Sequence, residues 1–170
     1  EDFMKNPPAG LDAPVFQFMQ ALGYCEKPVV VAVNGAAVGI GTTMLMHSDL
    51  VYCADNAMFS MPFVSLGLCA EFASSVLVSM NAGYHKAVEK LLLADPISAE
   101  EALAWGLVNR ITEVGKVLEE AIATAKEIIA NAPLALRQAK RSIDYGLRMD
   151  LRSGMFFEVE AYNRLVPTED

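Results

Sequence analysis

The stretch from Lys27 to Glu71, KPVVVAVNGAAVGIGTTMLMHSDLVYCADNAMFSMPFVSLGLCAE, constrains the fold more than any other part of the chain. Val29-Val30-Val31-Ala32-Val33 is an apolar, β-branched-rich run without polar alternation, the pattern of a strand covered on both faces, as in a parallel sheet. It breaks at Asn34-Gly35 into a glycine-spaced turn, Gly35-x-x-x-Gly39-x-Gly41, after which apolar character resumes in short pieces. Thr42 to His47 is expected to open a helix, and Leu50-Val51-Tyr52-Cys53 and Ala57-Met58-Phe59 read as short strands joined at Asp55-Asn56.

The flanks are mostly helical. Asn6 to Gly10, NPPAG, is turn chemistry, because paired prolines and a glycine continue neither a helix nor a central strand. Val15, Phe18, Met19 and Leu22 then recur at helical spacing up to Gly23, predicting a short helix with one buried face. Beyond Ala73, Ser75 to Met80 and Lys86 to Leu93 are too apolar to be helices exposed all round. Ser98-Ala99-Glu100-Glu101 is a capping box, and the helix it starts should stop at Gly106. Leu107-Val108 and Ile111 predict a short strand. Val117 to Asn131, Pro133 to Tyr145 and Leu151 to Leu165 predict three amphipathic helices, the second with proline in its first turn and the third capped by Asp150. The fold class is therefore α/β giving way to α, and the change of character near Val114-Gly115 is the one place to subdivide it.

Bulk properties narrow the partners. A length of 170 residues, 54% of them hydrophobic, supports one domain with a substantial core. A net charge of −8 and a pI near 4.7 speak against nucleic acid or an anionic membrane surface, both of which select clustered Lys and Arg. Cys25, Cys53 and Cys69 are odd in number, widely spaced and in apolar surroundings, so neither a disulfide framework nor a zinc site is suggested and a reducing, intracellular compartment fits. With only His47 and His85 available, no metal site and no His-dependent triad is expected. No apolar run reaches the length of a bilayer span.

Two features could carry chemistry. The glycine turn has the formal layout of a dinucleotide phosphate loop, but a nicotinamide enzyme would want an acid about 20 positions further on. Asp49 and Asp55 come too early, and no tyrosine has a lysine four residues on. The same turn could expose an amide at Gly39 to Gly41 as an oxyanion hole, or simply allow close packing of helix on sheet. Glu71 is the second feature. It is a lone carboxylate in LGLCAEFA, where burial would raise its pKa toward the range of general acid–base work; the bland alternative is a solvated acid near a helix N-terminus. His47, beside Ser48 and Asp49, reads as a satisfied structural histidine rather than a base.

Three segments taken together, KPVVVAVNGAAVGIG, SDLVYCADNAMFSMP and ISAEEALAWGLVNRI, resemble in order the crotonase superfamily, the enoyl-CoA hydratase/isomerase family. The resemblance implies a crotonase-like spiral of ββα units forming two roughly perpendicular sheets, over residues 1–114, followed by a helical C-terminal region, 115–170, that forms a homotrimer or hexamer. It implies an acyl-CoA thioester as substrate, with coenzyme A part of that substrate, no separate cofactor and no metal. One of the family's two oxyanion amides matches the backbone N–H of Ile40, preceded by Gly39.

The departures from the family pattern matter most. Family hydratases hold a water between two glutamates, and the matching positions here are Thr43 and Phe63, neither of which can take a proton from water at neutral pH. Glu71 instead matches the single glutamate of peroxisomal-type 3,2-trans-enoyl-CoA isomerases. The implied reaction removes a proton from C2 of a 3-enoyl-CoA and returns it to C4, through an enolate held by backbone amides. Met61, Phe63, Leu66 and Leu68 are then candidate walls of the acyl site, each with an alternative as ordinary core. Another crotonase-family reaction and a non-catalytic acyl-CoA-binding module are the competing readings, and nicotinamide binding is not expected. The family's first oxyanion amide and last helix fall outside this sequence, so flanking chain is expected at both ends. The compartment expected is intracellular, cytoplasmic in a bacterium, with peroxisome and mitochondrion left open as alternatives.

Overall fold

The computed structural model describes residue 10 and residues 12–148, with side chains to 144. The expected turn at Asn6 to Gly10 and the helix from Leu151 to Leu165 lie outside the described residues, apart from Gly10 itself. Helix α1 (Pro14–Gly23) leads into two short strands, β1 (Val30–Val33) and β2 (Ala36–Val38), then a helical turn α2 (Ile40–Thr43) that tightens into a 3-10 turn, Met44–His47. The pattern repeats with β3 (Leu50–Ala54), β4 (Met58–Ser60), a 3-10 turn Val64–Leu66, and helices α3 (Ser74–Ala82) and α4 (Tyr84–Leu92). The chain continues through β5 (Ile97–Ser98), α5 (Ala99–Ala104), β6 (Arg110–Thr112), α6 (Val117–Ile129) and α7 (Pro133–Arg148).

Each β-β-helix repeat contributes its first strand to one sheet and its second to another. One sheet has the order β1-β3-β6, all parallel, with Val30 facing Leu50 and Tyr52 facing Arg110. The other has the order β2-β4-β5, with Ala36 facing Met58 in parallel and Met58 facing Ser98 antiparallel. Val33 and Val31 of β1 pack into the main core, while Val30 and Ala32 meet Tyr52, Val117 and Ala121 on the α6 side. Both faces of this strand are thus covered, as its unalternated sequence predicts. Because α6 lies on the same sheet as β1, the change of character near Gly115 is not a break in packing.

The main core gathers residues from both sheets and several helices, among them Val51, Cys53, Phe59, Met61, Ile97 and Val108, each 2% exposed or less. Ser98 completes the capping box: its hydroxyl accepts from the Glu101 amide at 3.2 Å, and its own amide donates to Glu101 Oε2 at 3.1 Å. The helix ends before Gly106, which takes a positive φ of 76°.

Three expectations need correction. The glycine turn is not one loop, since Ala36–Val38 within it is a strand paired with β4. The helix after it begins at Ile40 rather than Thr42. In α1 the phase is shifted, with Phe16, Met19 and Gly23 buried and Phe18 at 42% exposure, because the helix seats on Phe72. The strands joined at Asp55-Asn56 are present as expected, and β3 and β4 belong to different sheets.

Candidate active site

The site begins with a glycine that no other residue replaces cheaply. Gly39 sits at φ 58°, ψ −121°, a combination that a Cβ makes costly, and an added Cβ would also stand 3.9 Å from the Phe63 ring. Its N–H donates to Ser60 O at 2.9 Å, and its carbonyl accepts from Thr42 N and Thr43 N at 2.9 and 3.0 Å. The fully buried Thr42 hydroxyl donates to Ala37 O at 2.7 Å and accepts from Ser60 N at 3.2 Å. The turn is therefore bolted to β2 and β4 from both sides. Ile40 is the first residue of α2, so its N–H has no acceptor within the helix. Gly35 and Gly41 are less demanding: a Cβ at Gly35 meets nothing within 4 Å, and one at Gly41 makes only an ordinary 4.0 Å contact with Ala37.

Glu71 arrives from the other side on an irregular segment. After the 3-10 turn Val64–Leu66, Gly67 takes a left-handed φ of 68°, and the chain runs without regular structure to Glu71. Phe72 and Ala73 then adopt φ 53° and 57°, two consecutive left-handed residues that are not glycine. Such residues cost on the order of 1–3 kcal/mol each and persist where their surroundings hold them. Here the Glu71 carbonyl accepts from both Ser74 N (3.0 Å) and Ser74 Oγ (2.6 Å), Phe72 is buried with Phe16 and Met19, and Ala73 is 0% exposed.

The two halves meet at Thr43. Its hydroxyl, fully buried one helical turn beyond Ile40, donates to Glu71 Oε1 at 2.5 Å. Glu71 itself is half-buried, and its Oε2 is shielded from solvent. Ile40 packs in the same apolar cluster as Phe72, the residue that follows Glu71. A lone carboxylate is thereby placed beside an amide-bearing turn, which is the equipment for moving a proton next to a carbonyl whose oxygen is held by N–H groups.

The remaining predicted wall residues are spread out. Phe63 is 8% exposed and is the side chain nearest Gly39. Met61 is 1% exposed and turns into the main core, where it lines a small apolar cavity with Met46, Val78 and Trp105. Leu68 is half-buried against that core, and Leu66 is 64% exposed. His47 is satisfied structurally, its Nε2 lying 2.7 Å from Phe72 O. Sequence reasoning treated Thr43 only as a missing glutamate; a short hydroxyl side chain in the first turn of a helix was the available sign that the position still serves a polar partner. Among the described residues no group of three or more His, Cys, Asp or Glu is arranged to hold a metal ion, and no helix is long and apolar enough to cross a membrane.

Two sheets built from β-β-helix repeats, with a carboxylate bound to the helical turn that follows Gly39, define a crotonase-type fold. The chain belongs to the enoyl-CoA hydratase/isomerase family, whose model matches residues 2–170. Among curated proteins it is 36% identical to the short-chain-enoyl-CoA hydratase of Clostridium acetobutylicum, over 92% of this chain and 59% of that protein. It is 34% identical to the crotonyl-CoA hydratase of Syntrophomonas wolfei subsp. wolfei, over 94% of this chain and 60% of that protein. Solved structures include Pseudomonas aeruginosa OdaA, with a TM-score of 0.94 and 41% identity over 99% of this chain and 68% of that one. An enoyl-CoA hydratase/isomerase from Pseudoalteromonas atlantica superposes with a TM-score of 0.92 at 33% identity, again over 99% and 68%. The chain spans about 60% of the length of these curated relatives.

Proposed function

We propose that this chain carries the active site of an enoyl-CoA isomerase that moves a double bond from C3 to C2 with Glu71 as its single proton shuttle. The observation that supports this reading is the hydrogen bond from Thr43, in the helical turn that Ile40 opens, to Glu71, together with the lack of an acid at position 43 or 63. The Glu71 carboxylate takes a proton from C2 of a 3-enoyl-CoA, and the C–H electron pair moves onto the thioester oxygen through the new C1–C2 double bond. The Ile40 N–H donates to that oxygen as its charge grows. The thioester carbonyl then re-forms, the C1–C2 π pair becomes the C2–C3 double bond, and the C3–C4 π pair forms a C4–H bond with the proton delivered by the Glu71 carboxyl group. Phe63, packed at Gly39, keeps the reacting carbons away from water. Leu66, Leu68 and Met61 are assigned to the acyl side of the same site.

A hydratase is the second reading, favoured by the names of the two curated relatives given above. Hydration needs a held and activated water, and Thr43 and Phe63 supply no acid–base group for it. Assaying the full-length protein on both 3-hexenoyl-CoA and crotonyl-CoA separates the two. Isomerisation that falls by several orders of magnitude in Glu71→Gln supports the proposal. Hydration of crotonyl-CoA without isomerisation overturns it, and tight acyl-CoA binding without turnover points to a binding module. Assembly as a homotrimer or hexamer belongs to the same proposal, consistent with exposed Leu118, Ile122, Ile129 and Leu134 on α6 and α7. Light scattering coupled to gel filtration tests it.

A further inference from the structure

The His47 ring lies flat on the Phe72 ring, with centroids 3.7 Å apart and planes 12° from parallel. The same imidazole has Nε2 at 2.7 Å from Phe72 O. A carbonyl only accepts, so Nε2 carries the proton. His47 thus grips one residue twice, by its side chain and by its peptide group. That residue follows Glu71 and is the first of the two consecutive left-handed positions. Helix α1 closes the other side: a Cβ at Gly23 would stand 3.7 Å from the Phe72 ring and 3.9 Å from His47 Nδ1.

We propose that His47 is a positioning residue that holds the Phe72 peptide left-handed and so aims the Glu71 carboxylate at Thr43 and the reacting carbons. The functional half of this statement rests on the isomerase reading; the geometric half does not. The physical chain is short. Left-handed backbone at Phe72 and Ala73 is unfavourable in itself, and relaxing either residue to an extended or right-handed conformation rotates the peptide plane that follows Glu71. The Cα–Cβ bond of Glu71 swings with it, and its carboxylate leaves the Thr43 hydroxyl. His47 stands at the end of the 3-10 turn Met44–His47, continuous with α2, so the segment that presents Ile40 and Thr43 also presents the clamp on the acid's backbone. One rigid segment thereby sets both partners of the site.

The test uses His47→Leu, His47→Phe and His47→Gln in the full-length protein. The first removes both contacts, the second keeps a ring to stack, and the third keeps an N–H donor. In His47→Leu the expected result is a kcat lowered roughly 10- to 100-fold, as for misplacement of a reacting group by about 1 Å, with acyl-CoA affinity unchanged. Phe and Gln are expected to recover part of the loss. A crystal structure of His47→Leu should show Phe72 out of the left-handed region and the Thr43–Glu71 hydrogen bond broken. Retention of that bond with Phe72 still left-handed overturns the proposal whatever the activity. So does wild-type kcat in a folded His47→Leu whose parent isomerises and whose Glu71→Gln counterpart does not. A parent that fails to isomerise overturns the functional assignment and leaves the crystallographic comparison to decide the geometric one. If His47→Leu does not fold, the Phe and Gln variants decide by the same two readouts.

Discussion

The Thr43 hydroxyl donates to Glu71 Oε1 across 28 residues of sequence, at 2.5 Å, from a side chain with no exposure to solvent. Position 43 is one of the two places, with position 63, where the resemblance implies a glutamate in a hydratase. Neither hydratase glutamate is present, and the hydroxyl at position 43 binds Glu71, an acid at a third position, without carrying an acidic proton of its own at neutral pH. On the proposed isomerase function, Thr43→Val should therefore lower kcat about 10- to 100-fold, the range for losing a hydrogen bond to a charged group worth about 1.5–3 kcal/mol. Thr43→Ser should restore most of it, and steady-state kinetics on a 3-enoyl-CoA decides; equal rates in the Val variant and the parent would remove Thr43 from the site.

Gly39→Ala tests the turn itself. A Cβ at φ 58°, ψ −121° adds strain of about 1–3 kcal/mol and displaces the Ile40 amide that follows. Both the urea midpoint and kcat are expected to fall, whereas Gly41→Ala, at a position with ordinary space, should leave kcat near that of the parent.

Phe59 is 0% exposed, at the point where β4 pairs with both β2 and β5. Phe59→Ala should destabilise the fold by about 3–5 kcal/mol through lost burial and the cavity left behind. Denaturant titration measures this directly, and a loss below about 1 kcal/mol would contradict the packing described.

Cys53 gives a pH dependence with a definite sign. Burial first, then the charges of Glu100 and Asp55, push its thiol from 9.0 up to about 11. Between those values the unfolded thiol has released its proton and the folded one has kept it, so the unfolded state binds fewer protons and stability falls as pH rises. The contribution is fully present below pH 9 and is lost as pH rises toward 11. Within that window the slope approaches about 1.4 kcal/mol per pH unit. Cys53→Ala should flatten stability against pH there, and an unchanged slope would count against the assignment.

Much of the fold was legible because it is encoded locally. The unalternated run at Val30 to Val33 marks a strand covered on both faces, Ser98 and Glu101 mark a helix start by reciprocal hydrogen bonds three residues apart, and Gly106 marks the helix end by a positive φ. Strand β2 was missed because three residues, Ala36 to Val38, show no period, and only their pairing with Met58 to Ser60 makes them a strand. The buried stripe of α1 was misphased for a similar reason. Phe16 and Phe18 are equivalent apolar residues until Phe72 arrives from far along the chain and selects one of them.

By itself the sequence determined the turn at Gly39, the presence of one carboxylate at Glu71, and the absence of carboxylates at positions 43 and 63. Tertiary structure decided what these amount to. It brought Thr43 onto the carboxylate, folded His47 over Phe72, and turned Met61 into the core while leaving Leu66 at the surface. Propensity, capping and periodicity act over a few residues and can be read along a line. A hydrogen bond between side chains 28 residues apart exists only once packing has fixed both backbones, including the left-handed pair Phe72-Ala73 that no local preference would choose.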